Sequence, residues 1–314
     1  KLEGISIMPY GTVSADVIQT STSGGILGAG NASIMKNRII NGAMVIDQRA
    51  TAATANQIYS VDRWRFDKGN DATESVSQNT DAPTGFNYSL RNTISSGDAT
   101  IGASQFSGLQ QAIEGYNIAD LGWGTANAKT VTLSFWVRSS VIGQYIVSAR
   151  NQDDSRICPV NYTINSSNTW EYKTVTITGD TSGTWLTTNG VGLQVAWYLA
   201  LGSSFTGGTS GVWGASPNYG CGTPVNAIAS NGNIFAITGV QLEVGSSATG
   251  FEYVNYQTSL ANCQRYYEET KNNGSVEFQV QCITNGLTTT AFKTRKRASP
   301  TVTVYSTNTL VANT

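Results

Sequence analysis

Short stretches in which apolar and polar side chains alternate follow one another along most of this chain, and no long amphipathic helix interrupts them. An alternation with a period of two is typical of β-strands, whose successive side chains point to opposite faces. The segments predicted as strands are 59–66, 86–93, 104–113, 131–138, 144–150, 170–178, 190–201 and 233–242. Gly, Asn, Asp and Ser separate most of them. This regular spacing predicts an all-β fold, a β-sandwich of the jelly-roll type.

The stretch 231–270 joins the end of this series to a different pattern. Residues 234–242 carry apolar side chains on both faces, which is expected of a central strand in a sandwich. The glycine-containing residues 245–250 then end the strand. The sandwich is therefore expected to finish close to this turn.

A helical spacing begins after the turn. Leu260, Cys263 and Tyr267 recur at the interval of one helical face, and Thr258 or Ser259 is the expected N-cap. We predict one short helix here. So short an amphipathic helix is unstable alone, so it must pack on its own sandwich or on sister helices.

Three parts of the chain are predicted. Residues 1–36 are rich in Gly, Ser, Thr and Ala and form an extended amino-terminal arm and linker, residues 37–256 form the sandwich, and residues 257–314 hold the helix and a small distal β unit. Residues 37–48 are predicted to form a hairpin around Asn41–Gly42, a common two-residue turn signal.

The distal unit is predicted from a hairpin across Asn285–Gly286 and a strand at 299–306. Two or three strands are marginal on their own. We expect this unit to continue beyond residue 314 or to complete its sheet with sister chains.

Composition narrows the function. The chain has 314 residues and a net charge of -1, and only 12% of its residues are charged, compared with about 25% in typical soluble domains. A neutral polar surface of this kind has little attraction for nucleic acid or for an anionic membrane. No run of apolar residues approaches the length of about 20 that a membrane span needs. We predict no nucleic-acid partner and no membrane insertion.

The chain contains no histidine. That excludes the Ser-His-Asp triad, the Cys-His dyad and histidine-based metal hydrolysis. Hydrolysis by two carboxylates remains formally open, although no pairing is evident. The carboxylates considered are Glu114, Asp120, Glu171, Glu243 and Glu252. We predict a protein that is not an enzyme and has no cofactor, and the sequence leaves a calcium site undecided.

The four cysteines show no metal-binding spacing and are expected to be free thiols. Cys158 and Cys221 lie in loop-like surroundings and are the alternative, a disulfide pair.

Aromatic residues in glycine-rich loops are candidates for sugar binding. Trp123 lies in LGWGTAN, and Trp213 and Tyr219 lie in SGVWGASPNYGCG. An exposed aromatic ring stacks well on the apolar face of a sugar. We predict that these three residues, and the loop 202–232 as a whole, face a glycan. The competing interpretation is that each ring closes the end of the sandwich or a subunit interface.

Five stretches, taken in this order, resemble a large family of tailed-bacteriophage fibre and adhesin proteins. They are KNRIINGAMVIDQRA (36–50), YSVDRWRF (59–66), VTLSFWVRSS (131–140), ITGVQLEVGSSATGFEYVNYQTSLANCQRYYE (237–268) and FKTRKRASPTVTVYS (292–306). The order of strands also resembles the carbohydrate-binding modules of secreted glycosidases.

The resemblance implies a structural component of a virion, a tail-fibre-like adhesin that binds host surface polysaccharide. The expected assembly is a homotrimer with Leu260, Cys263 and Tyr267 at its contact, attached through residues 1–36 to other tail or collar proteins. Two alternatives are a secreted carbohydrate-binding module of a polysaccharide-degrading enzyme and a purely structural head or collar fibre. A third is depolymerase activity at a subunit interface.

Overall fold

The computed structural model describes residues 35–269 and 292–302, together with the backbone of two short strands nearer the amino terminus. Those strands, β1 (Ile18–Gln19) and β2 (Ile26–Leu27), pair in antiparallel fashion within a unit of residues 1–36. Residues 37–314 form a second unit. The hairpin predicted around Asn285–Gly286 lies outside the described residues.

Within the described part of the second unit, eleven strands precede a single α-helix. They are β3 (Ile58–Tyr59), β4 (Arg65–Gly69), β5 (Thr73–Asn79), β6 (Ser89–Ser96), β7 (Phe106–Glu114), β8 (Val131–Ser139), β9 (Gly143–Arg150), β10 (Ile157–Ile164), β11 (Glu171–Ile177), β12 (Val191–Leu201), β13 (Ile234–Val244) and α1 (Tyr256–Gln264).

These strands form two antiparallel sheets. One has six strands in the order β10-β9-β12-β7-β4-β3, and the other has five in the order β11-β8-β13-β6-β5. The chain crosses between the sheets repeatedly, so most neighbours within a sheet are distant in sequence. The predicted all-β fold, a jelly-roll sandwich with one short helix, is confirmed.

Large apolar side chains from the inner faces of both sheets fill the core. Trp197 of β12 and Phe135 of β8 are 0% exposed, and their ring centroids lie 5.5 Å apart across the sandwich. Trp64 packs against the other side of Trp197 at 5.6 Å. Rings held edge-on or tilted at this distance are favourable beyond the area they bury.

The hairpin predicted at residues 37–48 is wrong. Asn41 has a φ of 60°, and its side-chain amide donates to the carbonyl groups of Ile46 and Asp62, so a side chain replaces the ladder that a second strand would provide. Gly42 lies against the backbone of β13. A Cβ atom there would overlap the carbonyl oxygen of Val240.

The strand predicted at 59–66 is divided in two. Residues 60–64 form a turn between β3 and β4, and Arg63 in that turn has a φ of 75°. Strands β5 and β10 were not predicted. At residues 299–302, the described part of the predicted strand 299–306, the backbone is not in a strand.

The predicted helix is present, but it begins earlier than predicted. Asn255 is the N-cap, and its side chain accepts a hydrogen bond from the Thr258 amide at 2.9 Å. Thr258 and Ser259, the residues expected to cap the helix, lie inside it. Ser259, Cys263 and Gln264 are buried.

Candidate functional site

An open cleft lies on the outer face of the six-stranded sheet. In β4 the side chain of Phe66 enters the core, so Arg65 and Asp67 on either side of it point outward. The register between strands places Asp67, Gly108 and Tyr198 in one row. Because Gly108 has no side chain, the floor between Asp67 and Tyr198 is open.

The loop 202–232 closes one end of this face. It brings Phe205 and Tyr219 against Tyr198, and the three rings belong to a small apolar cluster separate from the main core. Tyr219 lies 5.7 Å from Phe205 and 6.4 Å from Tyr198 between ring centroids. The resulting cleft has a volume of about 320 Å³. Its main lining residues are Arg65, Asp67, Gln110, Arg150, Tyr198, Phe205 and Tyr219.

The polar side chains of the cleft form hydrogen bonds with one another. Arg150 bonds to Asp154 at 2.6 Å and to the side-chain oxygen of Gln110 at 2.6 Å. The Tyr219 hydroxyl donates to the second oxygen of Asp154 at 2.9 Å. This network fixes the orientation of the Tyr219 ring before any ligand binds. Burial raises the pKa of the Tyr219 hydroxyl, which keeps it a hydrogen-bond donor.

A second pair of charged side chains lies on the opposite side of the cleft floor. Arg65 and Asp67 form an ion pair at 2.9 Å. Burial raises the pKa of the Asp67 carboxyl, and the charge and hydrogen bond of Arg65 oppose that effect. The cleft thus combines aromatic rings with fixed donors and acceptors, an arrangement suited to a neutral polyhydroxylated ligand.

Of the three residues predicted to face a glycan, Tyr219 lines the cleft. Trp123 and Trp213 instead pack with Trp185, with ring centroids 4.7–5.4 Å apart. Trp123 is 6% exposed, so its ring is packed rather than open. The Trp213 Nε1–H donates to the Thr178 carbonyl at 2.8 Å. Glycan binding by the three residues stays a prediction.

The residues predicted at a trimer contact differ in exposure. Cys263 is 1% exposed and is buried within its own chain. Leu260 and Tyr267 are half-buried, and the Arg49 guanidinium lies 3.5 Å from the Tyr267 ring centroid. Helix α1 therefore packs on its own sandwich, and the trimer contact stays a prediction.

The carboxylates considered for hydrolysis all have protein partners. Glu114 accepts from Arg265 and Tyr266, and Asp120 pairs with Arg38. Glu171 pairs with Lys173 and Glu243 accepts from Thr249, both nearby in sequence, whereas Glu252 accepts from the distant Asn37 amide. None of the five lines the cleft.

Three cysteines are buried free thiols, as predicted: Cys158, Cys221 and Cys263. Burial raises the pKa of the Cys158 thiol to about 12, so it is unreactive. Cys282 lies outside the described residues. Among residues 35–269 and 292–302 no group of His, Cys, Asp and Glu is arranged to hold a metal ion. No helix in these ranges is long and apolar enough to cross a membrane.

Sequence analysis missed most of the cleft. Arg65 and Asp67 alternate with a buried phenylalanine, and this polar pairing on one strand face is the available signal. Gly108 and Gln110 show the same two-residue spacing in β7. The contribution of Arg150 depends on the fold and has no comparable local signal.

No protein-family model matches the sequence, and no curated protein matches it. Solved structures similar to it include the enzymatically active domain of tailspike protein 4 of bacteriophage CBA120, with 11% identity, a TM-score of 0.37 and coverage of 67% of this chain but 22% of that one. The C-terminal family 22 carbohydrate-binding module of a Clostridium thermocellum protein has 14% identity, a TM-score of 0.35 and coverage of 64% and 99%. A family 11 module of a cellulosomal cellulase of Clostridium thermocellum has 11% identity, a TM-score of 0.31 and coverage of 65% and 100%.

Proposed function

We propose that this chain is a glycan-binding protein and that the cleft is its binding site. The observation that carries the proposal is the combination of the half-buried Phe205 and Tyr219 rings, packed on the buried Tyr198, with the fixed Arg150–Asp154 pair on one open sheet face. Aromatic rings bind the apolar face of a sugar, while a charged hydrogen-bonded pair offers donors and acceptors to its hydroxyl groups.

The network also reduces the cost of binding. Asp154 holds both Arg150 and the Tyr219 hydroxyl, so the ring and the guanidinium are positioned in the free protein. Fewer rotamers are lost when the ligand arrives. A few such contacts give weak affinity at one site, and several linked copies would raise it by avidity.

The first experiment is a glycan array of bacterial surface polysaccharides, followed by titration of the strongest binder against two variants. Tyr219→Ala removes a ring of the cleft, whereas Trp213→Phe changes a ring of the same loop outside it. We expect Tyr219→Ala to weaken binding at least tenfold, about 1.4 kcal/mol, and Trp213→Phe to change it less than twofold. The reverse order would move the site to the tryptophan cluster.

We further propose that the protein is a structural component of a bacteriophage virion, a tail-fibre-like adhesin displayed on the particle for host attachment. Two observations support this: the five stretches that resemble phage fibre proteins, and the low share of charged residues, 12%. Residues 1–36 would attach it to other tail or collar proteins. Its proposed assembly is a homotrimer, in which Leu260 and Tyr267 keep partly exposed surface for contact.

Binding without catalysis is part of the proposal. The chain has no histidine, and the carboxylates in and beside the cleft, Asp67 and Asp154, are each paired with an arginine. Depolymerase activity at a subunit interface is the enzymatic alternative. Incubation with the polysaccharide that binds, followed by measurement of its chain length, tests it, and any shortening would replace the adhesin proposal with the enzymatic one.

The alternatives without catalysis are a secreted carbohydrate-binding module and a purely structural head or collar fibre. The mass in solution by light scattering, for the full chain and for a form lacking residues 1–36, separates them. A trimer in both forms supports the fibre proposal and places the contacts outside the arm. A monomer in both supports the secreted module, and a trimer without any glycan binder supports the structural fibre.

A further inference from the structure

A second cavity, apart from the cleft, lies where the end of helix α1 meets the sandwich. It has a volume of about 300 Å³ and is lined by parts of β7 and β12, by the residues that follow α1 and by residues 296–300. We call it the arginine cavity, after the cationic side chains that line it: Arg49, Arg63, Arg265, Lys296 and Arg297.

Carboxylates neutralise only some of these cations. Glu114 receives two bonds from Arg265, at 2.8 and 2.5 Å. Asp62 lies 3.6 Å from Arg49, and Glu268 lies 2.5 Å from Lys296. In the described ranges no carboxylate forms an ion pair with Arg63 or with Arg297. The cavity therefore has an excess of positive charge.

Arg63 is the unusual member of the set. It is only 8% exposed, and its guanidinium carbon lies 3.5 Å from the centre of the Tyr266 ring. Only one of its guanidinium nitrogens, Nη2, donates to a described residue, the carbonyl of Ala112, and Nε is buried without an acceptor. Burial lowers the pKa of the Arg63 guanidinium, the sign of an incompletely compensated cation.

A purely structural role would have Arg63 fix the Tyr266 ring by a cation–π contact. That contact accounts for one face of the guanidinium but supplies no acceptor for its N–H groups. Arg297 adds a second unpaired guanidinium at the exposed side of the same cavity, held there by a bond from its Nη1 to the Asn189 carbonyl. The nearest carboxylate in the cavity, Glu114, lowers the positive potential at both arginines, but its oxygens accept from Arg265 and Tyr266. Two arginines that line one cavity without an ion-pair partner of their own match the chemistry of oxyanion binding.

We infer that the arginine cavity binds a tetrahedral oxyanion, a phosphate or sulfate group, between Arg63 and Arg297. The group is either a free ion or a substituent on a polysaccharide, and both present the same oxygens. The bound anion bridges the sandwich to residues 296–300 and so holds this segment against the sandwich.

The inference is tested by titrating the full chain with inorganic phosphate at constant ionic strength. Calorimetry measures binding, and the midpoint of thermal unfolding measures the stabilisation. We expect a saturable rise of the midpoint with phosphate or sulfate and none with chloride. Arg297→Gln should weaken phosphate binding at least fivefold. The matched control is Arg295→Gln, which removes the same charge from an exposed side chain two residues from Arg297. This variant should bind phosphate within twofold of the wild type.

Arg63→Met should abolish phosphate binding. If that variant does not fold, the comparison of Arg297→Gln with Arg295→Gln still decides. Equal effects of those two variants, or a midpoint shift that never saturates, would overturn the inference by showing general screening. Dextran sulfate and unsulfated dextran distinguish the two sources. If dextran sulfate binds, depends on Arg297 and is displaced by phosphate, the ligand is a substituent on a polysaccharide. If phosphate binds and dextran sulfate does not, the ligand is a free ion.

Discussion

Two tryptophans at the centre of the sandwich test how buried hydrogen bonding contributes to this fold. Trp64 and Trp197 are 1% and 0% exposed and contact each other. The Trp64 Nε1–H donates to the carbonyl of Asn41 at 3.1 Å, whereas the Trp197 Nε1–H has no acceptor among the described residues. Replacing either ring with phenylalanine removes the same atoms from one cluster, and only one replacement also removes a hydrogen bond.

The expected difference follows from this contrast. Trp64→Phe loses a bond worth about 0.5–1.5 kcal/mol in addition to the cavity it leaves. Trp197→Phe leaves a similar cavity but removes an unpaired N–H group, whose burial costs about 1–3 kcal/mol. Because the cavity terms largely cancel, we expect Trp64→Phe to be less stable than Trp197→Phe by about 2 kcal/mol.

Urea unfolding followed by far-ultraviolet circular dichroism measures the difference without relying on tryptophan emission. Equal slopes of the free energy of unfolding against urea concentration would show that the two variants unfold over the same surface. The reasoning is refuted if the two free energies agree within error, or if Trp197→Phe is the less stable variant. Either result would mean that the Trp197 N–H group is not the unpaired donor inferred from its surroundings.

Three further changes each remove the hydrogen bonds of one side chain. Hydrogen bonds from Arg265 and Tyr266 outweigh burial and lower the pKa of Glu114 below its ordinary 4.5, so its contribution is present above that pH and lost below it; acid titration should destabilise the wild type more than Glu114→Gln. Asp180→Asn breaks a two-bond pair with Arg156 and should cost about 2 kcal/mol in urea unfolding. Asn255→Ala removes the cap of α1 and should cost about 1 kcal/mol by the same measurement.

Matched controls exist for two of these changes. Asp120→Asn breaks an equivalent two-bond pair with Arg38, but Asp120 is 47% exposed, so we expect a loss below about 1 kcal/mol. Asn262→Ala changes an exposed residue within α1 and should be neutral or slightly stabilising, because alanine favours helix. Equal costs within either pair would contradict the roles assigned to burial and to capping.

The predicted strands follow the alternation of side chains where a strand is covered on both sides. Residues 131–138 and 144–150 correspond closely to β8 and β9. Strands β5 and β10 lie at sheet edges, as does the predicted β11, and it is their composition that kept them from being predicted. Strand β5 is largely polar and β10 contains Pro159, and an edge strand tolerates both features.

The candidate site was harder to predict than the fold. The glycine-rich loop around Tyr219 is a local signal, and it predicts that residue. The rest of the cleft depends on the register that aligns Asp67, Gly108 and Tyr198 from three strands. No local pattern encodes such an alignment, because it arises only when the six-stranded sheet has formed.

The contact of Gly42 with the backbone of β13 has an evolutionary consequence. A side chain at this position would displace a central strand, so a lineage that keeps the fold cannot readily replace this glycine. The cleft shares that restriction only at Gly108, where a Cβ atom would meet the Trp197 carbonyl oxygen, and its other side chains can diverge as the ligand changes. Any relative that keeps this fold is therefore expected to keep Gly42 even where its binding residues differ.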